Sequence, residues 1–414
     1  MSVELRDYQI AISDEAVDKI KQYGIVCLWM QQRTGKTLTA MSAAAKYGAK
    51  KVLFVTRKKA ISSIEKDYEL LSPAFDIRII NYESVHKIDD FAPDFVICDE
   101  SHAMGAFPRP SLRAQRMKDI VGRLPLILMS GTPTPESYSQ IFHQLWISRN
   151  SPFHGFLTFY KWAKEYVTVY EKYINGRLKK FYDRAIKEKV FEKVNHLFIT
   201  YSQDDAGFKQ VVEDRFIRLN MPEKLKALYS QMHKDKIVIT DSFEVPASNA
   251  ADRVNKLSQI SGGTLKIADD AFVILSDHKA MAIKSGMVPF RKYAIFYKYK
   301  AEFELLKEVF PNHTETPEEF NANDHLIFLG QVQSVREGVN LKTADEIIFY
   351  NIDFSATSYF QARDRLQSKD RSSSAFVYWA FYTDGIEPFV YEAVKQKKNF
   401  TARYYNSRQK KSEK

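Results

Sequence analysis

The strongest constraint on this chain is a series of short, unbroken apolar runs: IVCLWM (25–30), KVLFVT (51–56), DIRII (76–80), DFVICDE (94–100) and LILMSGT (126–132). A strand with one wet face alternates apolar and polar residues, whereas a strand covered on both faces does not. Between the first two runs lies TLTAMSAAAKYGA, rich in alanine and suited to a helix. Buried strands alternating with helices predict a doubly wound α/β domain with a parallel sheet over 1–151. A second set, YAIFY (293–297), HLIFLG (325–330), DEIIFYN (345–351) and AFVYWAFY (375–382), predicts another α/β domain over 286–414, with AEFELLKEVF as a helix after its first strand.

The stretch 152–285 reads differently. Phe156, Phe159, Tyr160, Trp162, Tyr166, Tyr170, Tyr173, Phe181, Tyr182, Phe191 and Phe198 are interleaved with lysines. Spacings of three and four predict a mostly helical insertion and linker, with NGR (175–177) as a turn. Most of these aromatics are expected in a core, and any exposed ones could stack on bases.

Composition narrows the setting. Apolar residues make up 45% of the 414 residues and charged residues 27%, which excludes a disordered chain and supplies two cores. No apolar run approaches the ~20 residues of a membrane span, and MSVELRDYQI has no secretory pattern. Cys27 and Cys98 both sit inside apolar runs, so buried thiols in a reducing, cytoplasmic compartment are expected. The 61 Lys and Arg exceed the 51 Asp and Glu, a balance that suits a polyanionic partner. The last twenty residues hold eight Lys or Arg and one Glu, either a solvated tail or a phosphate-contacting arm.

Three motifs carry chemistry. MQQRTGKT (30–37) follows a strand and opens the alanine-rich helix, the context of a phosphate-binding loop. Backbone N–H groups at a helix N-terminus face anions, Gly35 lets the backbone approach, Lys36 would neutralise phosphate oxygens and Thr37 would ligate Mg²⁺. Met30 stands where the general pattern has glycine. Asp99 and Glu100 end the FVIC strand, where two adjacent carboxylates are costly unless a cation or water meets them. Asp99 would hold Mg²⁺ through water, and Glu100 would orient the attacking water. His102 is open between a structural and a coupling role. SGTPTP (130–135) is by itself an ordinary turn.

The order LRDYQ (5–9), RTGKT (33–37), DESH (99–102), SGTP (130–133), VREGVNL (335–341) and QARDR (361–365) resembles superfamily 2 helicase-type motors. It is most similar to Swi/Snf-like DNA-dependent ATPases in a compact form like those carried by bacteriophages. GTPTPESYSQIFHQLW, the stretch from VREGVNL through QARDR, and YTDGIEPFVYEAVKQKK extend the likeness through both ends of the chain, while 152–280 is least constrained. The resemblance implies two RecA-like lobes, ATP and Mg²⁺ as cofactors, and a host bacterial cytoplasm. It implies that Gln9 reads the adenine edge, that Arg6 packs on the adenine or braces its loop, and that Arg33 and Thr34 line the phosphate loop. Ser130 and Thr132 would couple nucleotide to nucleic acid. Gly338 and Asn340 would sit near DNA and the γ-phosphate. Gln361 and Arg365 would face the nucleotide across the cleft, with Arg365 as the arginine finger. A second arginine usual three residues later is Ser368 here, and Arg371 is the expected replacement. Arg57, Lys58 and Asn81 are expected on a nucleic-acid backbone.

The function so implied is an ATP-dependent translocase on double-stranded or branched DNA, sequence-independent, with a protein partner that selects the target and no membrane role. Unwinding or branch-migrating helicases, an RNA motor and a slowly hydrolysing ATP-gated clamp are the alternatives.

Overall fold

The computed structural model describes residues 4–31, 33–88, 90–131, 133–174, 176–202, 205–207, 213–269, 271–335, 341, 343–352, 355, 359 and 376–395. The chain divides into two compact units, Met1–Phe208 and Lys209–Lys414.

In the first unit the predicted apolar runs are strands β1 (Ile25–Met30), β2 (Lys51–Thr56), β3 (Asp76–Asn81), β4 (Phe95–Cys98) and β5 (Leu126–Met129). An antiparallel hairpin, β6 (Tyr170–Ile174) and β7 (Arg177–Phe181), precedes β8 (Phe198–Tyr201). The sheet order is β3-β2-β4-β5-β1-β8, with every pairing parallel. Helices α1 (Asp7–Tyr23), α2 (Lys36–Tyr47) and α3 (Ile61–Leu71) come first. They are followed by α4 (Leu112–Val121), α5 (Gln140–Trp146), α6 (Phe159–Tyr166) and α7 (Lys187–Val194).

Both faces of the sheet are apolar because both are covered. Val26, Leu28 and Met30 of β1 face Ile12, Ala16, Val17 and Ile20 of α1 and the alanines of α2. Ile25 and Cys27 face the opposite core, with Met117 of α4, Leu145 of α5 and Trp162 of α6. The β1 register thus explains a run with no polar alternation. Cys27 and Cys98 are both free and buried, and burial pushes both thiols well above their ordinary range.

The second unit repeats the scheme with β9 (Glu213–Leu219), β14 (Tyr293–Tyr297), β15 (His313–Thr314), β16 (Ile327–Gln331), β17 (Glu346–Phe349) and β18 (Phe376–Tyr382). Between β9 and β14 lie two small hairpins, β10 (Ile237–Ile239) with β11 (Glu244–Pro246) and β12 (Thr264–Ala268) with β13 (Ala271–Ile274). The large sheet runs β15-β16-β14-β17-β18-β9, again parallel throughout. The two parallel sheets fit the expected α/β pair of RecA-like lobes. The closing helix Glu387–Lys395 starts on a buried ion pair between Glu387 and Lys279.

The stretch 152–285 departs from its helical expectation. Phe159, Trp162 and Tyr166 do line the buried face of α6, but Tyr170, Tyr173 and Phe181 lie on the β6–β7 hairpin. Strands β8 and β9 leave this stretch to become edges of the two large sheets. Both are short or partly polar, with apolar pairs Phe198-Ile199 and Phe216-Ile217 too brief to stand out as runs. Among the described residues, no helix is long and apolar enough to cross a membrane.

His143 in α5 is buried against Phe142, Trp146 and Phe159. Its Nδ1–H donates to the Ala106 carbonyl at 2.6 Å, and burial lowers its pKa to about 4. A histidine neutral in the fold but protonated when unfolded subtracts stability as pH falls from about 6.5 to 4. The shift corresponds to a loss on the order of 3 kcal/mol. Urea unfolding at pH 7 and pH 5 should show a smaller acid loss in His143→Asn than in the wild type; equal losses would remove His143 as the cause.

Candidate nucleotide site

The loop after β1 is shaped by its own backbone. Arg33 and Gly35 both have positive φ, 62° and 77°. Thr34 Oγ1 donates to the Gln31 carbonyl at 2.7 Å, and Lys36 Nζ donates to the same oxygen at 3.1 Å. Gly35 is the N-cap of α2, so the first N–H groups of a 12-residue helix point out of the loop. Met30, at the position of the missing glycine, is the last residue of β1 and wholly buried. It belongs to the core rather than the loop, which accounts for the departure.

The LRDYQ segment holds this loop from behind. Gln9 Oε1 accepts from the Arg6 N–H at 2.9 Å, and Gln9 Nε2 donates to the Gly35 carbonyl at 3.3 Å. A Cβ on residue 35 would fall 2.1 Å from Gln9 Nε2, so only glycine lets the amide lie there. Tyr8 donates to the Thr34 carbonyl at 3.0 Å and stacks on Tyr201 of β8 at 4.7 Å. Arg6 Nη1 donates to the Tyr8 hydroxyl. Arg6 and Gln9 therefore both take part in hydrogen bonds around this loop.

The carboxylates lie at the end of β4, separated from β1 by β5. Two strand spacings put about 10 Å between the two strands. Asp99 Oδ2 accepts from Thr56 Oγ1 at 2.9 Å, and the Asp99 carbonyl accepts from the Tyr82 hydroxyl at 2.6 Å. Desolvation and then the charge of Glu100 raise the Asp99 pKa to about 6, while the Lys36 ammonium and the Thr56 hydrogen bond pull it down. The loop lysine and the strand-end carboxylate therefore share one electrostatic environment. Glu100 takes a left-handed conformation, φ 47° and ψ 47°, that costs about 1–2 kcal/mol for a non-glycine residue.

His102 joins the motifs. Arg57 Nη2 lies 3.0 Å from His102 Nε2, and Ser130 Oγ lies 3.0 Å from Nδ1. Glu100 Oε2 is 3.1 Å from the same Nδ1. A guanidinium only donates, so Nε2 accepts and the ring proton sits on Nδ1. His102 thus contacts the β2 exit, the paired carboxylates and the SGTP segment through one ring.

A buried glutamine completes the brace. Gln144 of α5 accepts from Ser101 Oγ at 2.8 Å and donates to the carbonyls of Pro133, at 2.8 Å, and Gln140, at 3.1 Å. Motif spacing does not disclose Gln144, Thr56, Tyr82, Tyr8 or Tyr201, because each acts from a separate element. Tyr8, Thr56 and Gln144 lie inside stretches already singled out, LRDYQ, KVLFVT and GTPTPESYSQIFHQLW, but their partners do not show there.

The other expected positions divide clearly. Lys58 is exposed at the start of a short helical turn after Arg57. Asn81 Oδ1 accepts from the Ser84 N–H, a local turn bond. Thr132, Gly338, Asn340, Gln361, Arg365, Ser368 and Arg371 lie outside the described residues. The oxygen donors of Thr37 and Asp99 suit a hard divalent cation such as Mg²⁺. Among the described residues, no cluster of three or more His, Cys, Asp or Glu offers a rival metal site.

A helix N-terminus bearing Lys36 and a pair of adjacent carboxylates thus stand at strand ends of one parallel sheet, the position at which open α/β sheets bind ligands. Residues 2–75 match the family described as Type III restriction enzyme, res subunit. A CHD3-type chromatin-remodeling factor of Arabidopsis thaliana, CHR7, is 21% identical over 342 residues, covering 78% of this chain. This chain spans 28% of that relative's length. Among solved structures, the ATP-dependent Type ISP restriction-modification enzyme LlaBIII bound to DNA aligns with a TM-score of 0.49 and 12% identity. That alignment covers 92% of this chain and 28% of the other. The SWI2/SNF2 ATPase core domain of Sulfolobus solfataricus aligns with a TM-score of 0.41 and 13% identity, over 96% of this chain and 89% of the other. The sequence matches support a Swi/Snf-like superfamily 2 chain of helicase type.

Replacing Gln144 with Ala leaves Ser101 Oγ and the Pro133 carbonyl without their buried partner. The loss should be about 1–3 kcal/mol by urea unfolding. A variant as stable as wild type would show that this glutamine does not hold the two motifs together.

Proposed function

We propose that this chain is an ATP-dependent DNA translocase that uses Mg²⁺ and moves on or remodels double-stranded or branched DNA. The observation that carries the reading is that the α2 N-terminus, with Gly35 as its N-cap and Lys36 as its first residue, follows β1, while Asp99 and Glu100 follow β4 of the same parallel sheet. A triphosphate bound on the α2 N-terminus would meet the lysine on one side and the acidic pair on the other. Mg²⁺ would supply charge neutralisation at the phosphate oxygens, held by Thr37 and Asp99.

Within this reading Glu100 orients and polarises water. His102 passes any shift of Glu100 to Ser130 and Arg57, whose segments lead toward the nucleic-acid side. Arg365, assigned through QARDR, stabilises charge on the transferring phosphoryl group, and Arg371 stands in for the arginine replaced by Ser368. Gln361, Gly338 and Asn340 serve nucleotide and DNA contacts in the same way. Lys58 and Asn81 contact a phosphate backbone, and Arg57 acts through His102 as well. DNA as partner is supported by the chromatin-remodeling relative.

The deciding experiment is steady-state ATPase activity with duplex DNA, forked DNA, single strands and RNA. The expectation is strongest stimulation by duplex or forked DNA. Lys36→Ala should abolish turnover, and Glu100→Gln should bind ATP yet hydrolyse it at least ~100-fold more slowly. Stimulation only by RNA, or normal turnover in either variant, would overturn the proposal.

A further inference from the structure

The β6–β7 hairpin has a charge pattern its own stability does not explain. It carries Lys172, Arg177, Lys179 and Lys180 against the single acid Glu171. Register sorts them by face. Glu171 opposes Lys180, with 3.6 Å between Oε1 and Nζ, and Tyr173 opposes Leu178 on that same face. On the other face Lys172 is directly opposite Lys179, and Arg177 follows at the tip. Like charges directly opposite one another destabilise a strand pair, and a two-stranded ribbon in water is already marginal. Lys172, Tyr173, Arg177, Leu178, Lys179 and Lys180 are all exposed, Tyr173 at 78%.

The base, by contrast, is firmly built. Tyr170 and Phe181 stack at 5.2 Å, and the Arg184 guanidinium lies 4.1 Å from the Tyr170 ring centroid. Asp183, the acid nearest this end, accepts from the Tyr170 hydroxyl. Ser137 Oγ donates to the Asp183 carbonyl at 2.8 Å and Ser139 Oγ to the Tyr182 carbonyl at 2.5 Å. Both serines lie just past SGTPTP, in the segment whose Pro133 carbonyl is held by Gln144. A solvent-facing ribbon is thus pinned to the loop that meets the nucleotide site.

We propose that the β6–β7 ribbon is a duplex-DNA contact, with Lys172, Lys179 and Arg177 on the phosphate backbone and the ribbon seated along the major groove. A major groove admits a two-stranded ribbon, and phosphates resolve the opposed lysines. The anchoring serines give the contact a direct mechanical path to the SGTP segment. The inference rests on the DNA-motor reading above and adds a contact element that no motif of that reading contains.

The test is binding of the full chain to a blunt duplex of mixed sequence, followed by anisotropy at salt concentrations from about 50 to 200 mM. In Lys172→Ala/Arg177→Ala/Lys179→Ala, the slope of log K against log salt should become shallower by about 2.7, three phosphate contacts at 0.9 each. Lys172→Arg/Lys179→Arg should keep the wild-type slope. Lys179→Glu, which gives Lys172 an opposite charge across the ribbon, should weaken DNA binding while holding or raising the melting temperature. A triple variant with the wild-type slope would overturn the proposal. So would an effect confined to single strands, or a loss seen with Tyr173→Ala alone. If the wild-type chain bound no duplex, the motor reading would fall with it. If the wild type bound duplex and hydrolysed ATP while the triple variant matched it, only the ribbon contact would fall.

Discussion

Two carboxylates side by side at the mouth of a buried strand dominate the physics of the first unit. Taking Asp99 out of water raises its pKa to about 6, and the neighbouring Glu100 adds to that penalty. Only cations and donors can offset it. Lys36, the Thr56 hydroxyl and the His102 ring supply part of that compensation from three separate elements. A bound divalent cation would supply more. The site is therefore under electrostatic tension before any ligand arrives, which is the condition under which a cationic ligand gains most.

The same tension explains why so much of the surrounding polar structure is bracing. Gln9 and Tyr8 hold the phosphate loop through its backbone, and Tyr82 holds the Asp99 carbonyl. Gln144 ties Ser101 to the SGTP segment. Gln9, Tyr8 and Tyr82 bind main-chain atoms and leave the side chains of the loop and of Asp99 to the site. Thr56, which donates to the Asp99 carboxylate, is one exception, and His102 is another. It touches Glu100, Arg57 and Ser130 together, and a change at one reaches the others through a single ring.

From the Ser130 segment the connections continue outward. Ser137 and Ser139 fasten Asp183 and Tyr182, where the chain leaves the basic ribbon. A rigid base with an exposed, self-repelling tip is what a contact for an extended polyanion requires. The first unit thus holds a chain of side-chain contacts that links the paired acids, a histidine, the SGTP segment and the base of the ribbon.

The apolar runs at 25–30 and 51–56 settled the strands and their burial on both faces, because a continuous run has no other low-energy home at that length. They also placed Lys36, Asp99 and Glu100 at strand exits. Asn-Gly at 175–176 is a hairpin signal, but the flanking aromatics also fit helical spacing, and exposed strands carry no burial pattern to decide between them. Strands β8 and β9 escaped because their apolar stretches are only two residues long, Phe198-Ile199 and Phe216-Ile217, one residue facing each core. That Gln9 supports Gly35, that His102 carries its proton on Nδ1, and that Gln144 reaches two motifs were decided by tertiary structure alone. Local sequence sets which groups a segment can offer, whereas partners more than a hundred positions or a few strands away are chosen by packing.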